Sequence, residues 1–246
     1  MPESPDEPAD GRDDALAAAF RDRPVERVAP GRAFLREGAP ARDALRVEAG
    51  VARLQRRLRD GRRVVDAFLF PGDVVGLARV EAFAFTGEAV GPLALRRMPR
   101  ARLYARAASD RALQERIVAR LREEIGGAGM RACVSLGLPP AERLARFVVD
   151  LCARRGVALE PGAVVRVPMP REDVADHLGV GVETLARALA VLAEEGVVLW
   201  ADQESLVVSD PEALRRRGGL DLSARISRQA GRDGARGLLL PVGFLH

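Results

Sequence analysis

The stretch Pro170-Arg-Glu-Asp-Val-Ala-Asp-His-Leu-Gly-Val-Gly-Val-Glu-Thr-Leu-Ala-Arg187 decides the fold. Arg171 to Leu178 carries Val174 and Leu178 four apart, so a short helix there has one apolar face. Gly179 makes the turn, and Glu183 to Glu195 carries Leu185, Leu189 and Leu192 at helical spacing. Val197–Trp200 and Leu206–Val208 follow as two short strands. A helix, a glycine turn, a helix and a hairpin read as a winged helix-turn-helix.

Upstream lies an extended stretch, Val164 to Met169, and before it a helix opening at Pro140, a good first-turn residue. Leu144, Phe147, Val148 and Leu151 mark its buried face, and Cys152 beside them reads as a small core residue. Cys133 could be core or reactive thiol. Ser109-Asp110 offers the N-cap of an earlier helix. Its stripe is Leu113, Ile117, Leu121 and Ile125, with Val118 alongside, and Gly126, Gly127 and Gly129 are expected to end it. On pattern alone, that stripe packs equally well on its own domain or on a second copy. From Val25 to about Leu77, turn signals recur roughly every ten residues (Pro30-Gly31, Gly38, Gly50, Asp60-Gly61, Pro71-Gly72), which predicts an antiparallel sandwich or barrel. Short β-like runs continue to Tyr104.

The 246 residues, 48% hydrophobic and 30% charged, suffice for one large or two smaller domains. No apolar run reaches the roughly 18 residues of a membrane span, and the acidic start does not resemble a secretory signal. A cytoplasmic protein without membrane contact is expected. Two cysteines and two histidines leave no disulfide framework and no metal centre built on them. No nucleophile–base set or phosphate-cradling loop stands out, so an enzyme is not expected. All 39 basic residues are arginine, and lysine and asparagine are absent. That is the mark of GC-rich coding, and the arginine count by itself says nothing about nucleic acid. Charge placement says more: residues 1–14 carry a net −5, 211–246 a net +4 and the body between them +5. Residues 1–22 read as an acidic disordered tail and 211–246 as a basic disordered one.

The helix-turn-helix segment resembles that of the cAMP receptor protein and fumarate-nitrate reduction regulator (Crp/Fnr) family. Ala29-Pro-Gly-Arg-Ala-Phe-Leu-Arg-Glu-Gly38 is similar to the family's first hairpin. Glu48-Ala-Gly-Val-Ala-Arg53, Arg59-Asp-Gly-Arg-Arg63, Phe70-Pro-Gly-Asp-Val-Val-Gly76 and Pro140-Ala-Glu-Arg-Leu-Ala-Arg146 follow in the family's order. The nearest likeness is to the Fnr/FixK-like branch, without its N-terminal cysteines. The resemblance implies an α+β fold: a cyclic-nucleotide-binding-like β-roll (23–108), a long dimerisation helix and hinge (109–137) and a winged helix-turn-helix (138–210). It implies a homodimeric transcription regulator that binds double-stranded DNA and contacts RNA polymerase, with Leu113, Ile117, Leu121 and Ile125 at the dimer interface.

Glu183 can accept from a cytosine amino group, and Arg187 can give two bonds to a guanine edge. Four apart, they share a helix face, a spacing that resembles the Glu-x-x-Ser-Arg signature whose half-site is TTGA. Arg171, Gly181, Thr184 and Ala186 complete the expected DNA-contact set. Ala186 stands where the family has serine, and Gly181 where it has threonine. Charge argues the other way: residues 168–210 hold two arginines and nine acids, a net −7, although phosphate contacts dominate affinity. A family-fold sensor with weakened DNA binding is the alternative. Gly72, Asp73, Gly76, Phe85 and Thr86 fall where the family places effector contacts. No arginine stands there for a cyclic phosphate and no cysteine precedes Cys133, so neither a cyclic nucleotide nor an iron–sulfur cofactor is expected, and the effector is left unassigned. His177 reads as a surface or cap residue, Trp200 as packing, and the Arg56-Arg57 and Arg62-Arg63 pairs as solvated.

Overall fold

The computed structural model describes residues 14–219 except Arg79 and Gln203, and, within α-helices, leaves the side chains of Asp14 and 125–137 undescribed. The expected tails at 1–13 and 220–246, and the side chains of Ile125 and Cys133, lie outside the described residues.

The chain opens with α1 (Asp14–Phe20) and then forms eight strands: β1 (Val25–Val28), β2 (Ala33–Leu35), β3 (Asp43–Ala49), β4 (Ala52–Arg57), β5 (Arg63–Leu69), β6 (Val74–Val75), β7 (Thr86–Ala89) and β8 (Leu93–Pro99). They make two antiparallel sheets, ordered β1-β8-β3-β6 and β2-β7-β4-β5. The sheets enclose an apolar core that includes Leu45, Val47, Leu54, Leu69, Phe83 and Leu95. Alternation is clean in β4 and β7, where Ala52, Leu54, Gly87 and Ala89 are buried. Arg53, Gln55 and Glu88 therefore share the opposite, outer face of that sheet. The β4–β5 hairpin turns at Asp60-Gly61, with Gly61 at positive φ, as the sequence predicts.

Three helices follow: α2 (Arg100–Ser109), α3 (Arg111–Gly137) and α4 (Pro140–Arg154). Then come β9 (Ala163–Arg166), α5 (Arg171–Leu178), α6 (Val182–Glu194), β10 (Val198–Trp200), β11 (Ser205–Val208) and α7 (Pro211–Arg217). Strands β10, β11 and β9 form the wing sheet, in that order.

Four expectations are corrected here. Residues 15–20 are not tail: α1 buries Leu16, Ala19 and Phe20 at 0–1% exposure. Acidic composition upstream hid a six-residue apolar run with Leu16 and Phe20 four apart. Residues 100–104 are helical rather than strand, because the Ala/Arg-rich stretch is strongly helix-forming and places Leu103 and Ala107 on one buried face. Helix α3 does not stop at Gly126; it continues to Gly137. Interior glycine lowers helix stability by about 1 kcal/mol relative to alanine but does not forbid the conformation. Residues 211–217 are not tail either. Asp210 caps α7 by accepting from the Ala213 amide at 2.9 Å, and Leu214 is fully buried.

The stripe on α3 is corrected by the first of these. Asp110 caps the helix, its Oδ1 accepting from the Leu113 amide at 3.0 Å. Leu113 and Ile117, expected at a dimer interface, are 0% and 3% exposed inside their own chain. They pack in one cluster with Leu16, Phe20, Leu77, Met98 and Leu103, and Leu121 lies partly buried against it. The pattern leaves both partners open and the family resemblance points the stripe to a second copy, whereas α1, α2 and the β-roll cover Leu113 and Ile117 within the chain. Val118, on the open side of α3, is 39% exposed.

Candidate nucleic-acid interface

The helix-turn-helix is built from α5 and α6. Helix α5 ends at Gly179, held at φ 66° and ψ 37°. That left-handed geometry suits glycine and lets the Val180 amide reach back to the Ala175 carbonyl at 3.0 Å. Arg143 of α4 closes the same turn: its Nη1 donates to the Leu178 carbonyl at 3.0 Å and its Nε to the Leu138 carbonyl at 2.8 Å. Nothing in the sequence pattern marked Arg143, because its partners are backbone carbonyls.

Helix α6 starts at the N-cap Gly181, which supplies no side-chain bond. Leu185, Ala188 and Leu192 face the core, while Val182, Glu183, Ala186 and Arg187 are exposed. The expected base-reading pair is thus on the open face of the helix. Arg187 Nη2 donates to Thr184 Oγ1 at 3.1 Å and not to Glu183. This leaves most of the guanidinium fork, and the Glu183 carboxylate, open to the outside. Arg171 lies at the start of α5, its guanidinium 5.0 Å from the centre of the Trp200 ring. That contact joins the helix-turn-helix to the wing and accounts for the exposed side of Trp200.

The charge objection weakens once partners are assigned. Asp173 pairs with Arg53 and Arg63, and Asp176 with Arg63. Glu195 pairs with Arg217, and Glu204 with Arg166 at 3.1 Å. All of these arginines lie outside the 168–210 block, so four of its nine acids are compensated from elsewhere in the fold. The Arg62-Arg63 pair is correspondingly split. Arg62 bonds Asp60 in the hairpin turn, but Arg63 is not simply solvated. Burial pulls the Arg63 guanidinium down, and Asp176 and Asp173 outweigh it, holding its pKa above the ordinary arginine value.

His177 is neither a surface residue nor a cap. Its Nδ1 lies 2.9 Å from the Val65 carbonyl, and its ring sits 5.2 Å from Phe68 and 5.7 Å from Phe147. It therefore belongs to the contact between β5 and the DNA-binding half, where Phe68 and Phe70 join one continuous core with α4 and α5.

Most of the expected effector positions make bonds or packing contacts within the fold. Asp73 is 9% exposed. Its Oδ2 accepts from the Phe70 amide at 2.8 Å and pairs with Arg154 of α4. Its Oδ1 pairs with Arg120 of α3 at 2.7 Å. Gly76 has φ +86°, and a Cβ there would stand 2.5 Å from the Asp43 carbonyl oxygen, so chain geometry alone demands glycine. Thr86 Oγ1 accepts from the Glu37 amide at 3.2 Å, and Phe85 packs against the β-roll core. Asp73 is thus committed to Arg120 and Arg154, and Thr86 and Phe85 to the β-roll itself. Cys152 is fully buried, and burial raises its thiol pKa to about 11. Among the described residues, no group of three or more His, Cys, Asp and Glu is placed to hold a metal ion. No described helix is long and apolar enough to cross a membrane.

A β-roll joined through a long helix to an exposed recognition helix and a wing defines a class of DNA-binding transcription regulator. Residues 142–217 match the model of the Crp-like helix-turn-helix domain. The chain is 33% identical over 193 residues to the nitrogen fixation regulation protein FixK of Rhizobium meliloti, spanning 78% of this chain and 86% of that one. It is 36% identical to FixK of Azorhizobium caulinodans over 172 residues, 69% of each chain. The structure of FixK2 from Bradyrhizobium japonicum superposes with a TM-score of 0.72 at 27% identity, covering 79% of this chain and 96% of that one. The protein belongs to the Crp/Fnr family of DNA-binding transcription regulators, near its FixK branch, and that family is not one of enzymes.

Proposed function

We propose that this regulator acts as a homodimer, reads a TTGA-type palindrome through Glu183 and Arg187, and changes the setting of its two recognition helices when the β-roll receives a signal. The observation that carries this reading is the open face of α6, where both side chains are exposed and neither is consumed by the other. Helices of this kind enter adjacent major grooves about one helical turn apart. Glu183 then accepts from cytosine, Arg187 reads guanine, and the Ala186 methyl group meets a thymine methyl. Arg171 and the backbone amides at Gly181 and Val182 serve the phosphate backbone.

The dimer forms along the open side of α3, where Val118 is exposed. RNA polymerase is the expected protein partner. The reading assigns no cyclic nucleotide to the β-roll, in keeping with its apolar core and with an Asp73 already held by two arginines. An iron–sulfur cluster is likewise not assigned, since no cysteine precedes Cys133.

Weakened DNA binding stays as the second reading because the wing tip carries Asp202 and Glu204 against Arg166 alone. The deciding experiment measures binding to a duplex of the TTGA-N-TCAA type and to a scrambled control across a salt series. Preference for the palindrome, lost in Arg187→Ala, supports base reading. Equal weak binding to both duplexes supports the second reading.

A further inference from the structure

The face of α5 turned toward the β-roll carries a charged cluster that DNA contact does not use. Asp173 is 2% exposed, with Oδ2 2.5 Å from Arg53 Nη1 and Oδ1 2.7 Å from Arg63 Nη2. One turn along, Asp176 Oδ2 lies 2.6 Å from Arg63 Nε. Arg53 also pairs with Glu88, whose other oxygen accepts from Gln55 Nε2 at 3.0 Å. The arginines come from β4 and β5 and the carboxylates from the first helix of the helix-turn-helix.

The geometry of this cluster is restrictive. A guanidinium is a rigid planar fork. Arg63 spans two carboxylates three residues apart on one helix, while Arg53 grips the second oxygen of Asp173. Bonds from two strands to successive positions on α5 fix its rotation as well as its distance. Leaving Asp173 buried without a partner is strongly unfavourable, so the arrangement resists sliding. Helix α6 follows α5 through the short turn closed by Gly179 and Arg143. The direction of the recognition helix is therefore referred to the β4–β5 hairpin.

We propose that Arg53 and Arg63 are positioning residues for DNA recognition: by clamping Asp173 and Asp176 they fix each recognition helix on its own β-roll and so set the half-site spacing that the dimer accepts. This rests on the dimeric, palindrome-reading function proposed above. Neither arginine touches DNA in this scheme, and the clamp acts through α5.

The test uses the full-length protein and a set of duplexes whose half-sites are moved closer or apart by one or two base pairs, with a single half-site duplex as reference. In Arg63→Gln, the preference for the best spacing over its neighbours should fall roughly fivefold, the scale expected for directly coupled groups, while half-site affinity stays within about twofold. Arg63→Lys retains the charge but replaces the planar fork with a compact ammonium, and it should fall between wild type and Arg63→Gln. Adding Asp176→Asn to Arg63→Gln should then change the spacing preference little. An unchanged spacing preference overturns the proposal. So does a loss shared equally by the half-site and the palindrome, since that reports a general effect on folding or charge.

Hydrogen exchange separates this from failure of the DNA reading. Should wild type not distinguish the palindrome from a scrambled duplex, the palindrome reading falls and the spacing role falls with it. Faster exchange in β5 and α5 of Arg63→Gln, with the wing sheet unchanged, then still supports the clamp itself. Unchanged exchange overturns it.

Discussion

The carboxylate of Asp73 and the guanidinium of Arg154 tie a turn of the β-roll to the first helix of the DNA-binding half. Asp73 also holds Arg120 of the long helix, so three parts of the molecule meet at one side chain. Asp73→Ala would leave Arg120 with Glu123 alone and remove the acceptor for the Phe70 amide. Arg154 is 41% exposed, and water compensates much of its loss. The expected destabilisation is about 2 kcal/mol, or a fall of roughly 4–8 °C in Tm for a chain of this size. Asp73→Asn keeps an acceptor for Phe70 and should lose less. Thermal unfolding followed by circular dichroism measures both.

The inward stripe on α3 separates folding from association. Leu113→Ala empties a fully buried site and should lower stability by about 2–5 kcal/mol. Val118→Glu alters an exposed side chain and should leave the stability of the monomer within about 0.5 kcal/mol. Sedimentation should show Val118→Glu dissociating at higher protein concentration than wild type. A wild-type dimer equally resistant to Val118→Glu would place the interface elsewhere.

Phe20→Ala tests the first helix. Phe20 is fully buried beside Leu113 and Met98, and its loss should cost about 3–5 kcal/mol. Chemical denaturation of Phe20→Ala beside wild type gives the measurement.

Cys152 predicts a pH dependence. Its folded pKa of about 11 lies above the ordinary value of 9.0, so the folded state favours the neutral thiol. The stabilisation is complete below about pH 9 and is lost as pH rises from 9 toward 11, because only the unfolded chain gains by ionising there. Alkylation mapped by peptide should leave Cys152 unmodified in the native protein at pH 8 and modify it fully in denaturant. Rapid native modification would show that α4 opens locally.

The helix-turn-helix was legible because its signal is local: Val174, Leu178, Leu185, Leu189 and Leu192 keep a helical period on either side of Gly179. The β4–β5 hairpin was legible from Asp60-Gly61 for the same reason. What escaped was set by contacts distant in sequence. Arg63 reads as a solvated charge until Asp173 and Asp176, more than a hundred residues away, are brought to it. His177 reads as a surface residue until Val65 and Phe68 arrive. Phe20 was hidden by acidic neighbours, and the α3 stripe, which the pattern leaves open between its own domain and a second copy, meets Leu16 and Phe20 within the chain. Asp73 was marked by its place in a motif, but its ion pairs depend on α3 and α4 and could not be read from the motif.

The continuous core shared by Phe68, Phe70, Phe147 and α5 bears on modularity. Regulators of two parts invite transplantation, with one protein's receptor grafted onto another's reading head. Here the seam is a matched surface. A graft beginning at Pro140 would carry Asp173 and Asp176 without their arginines and His177 without Phe68 and the Val65 carbonyl. A chimera that brings Arg53, Arg63, Val65 and Phe68 along with the head would preserve the join, and the boundary for exchange would then lie inside the β-roll rather than at the hinge.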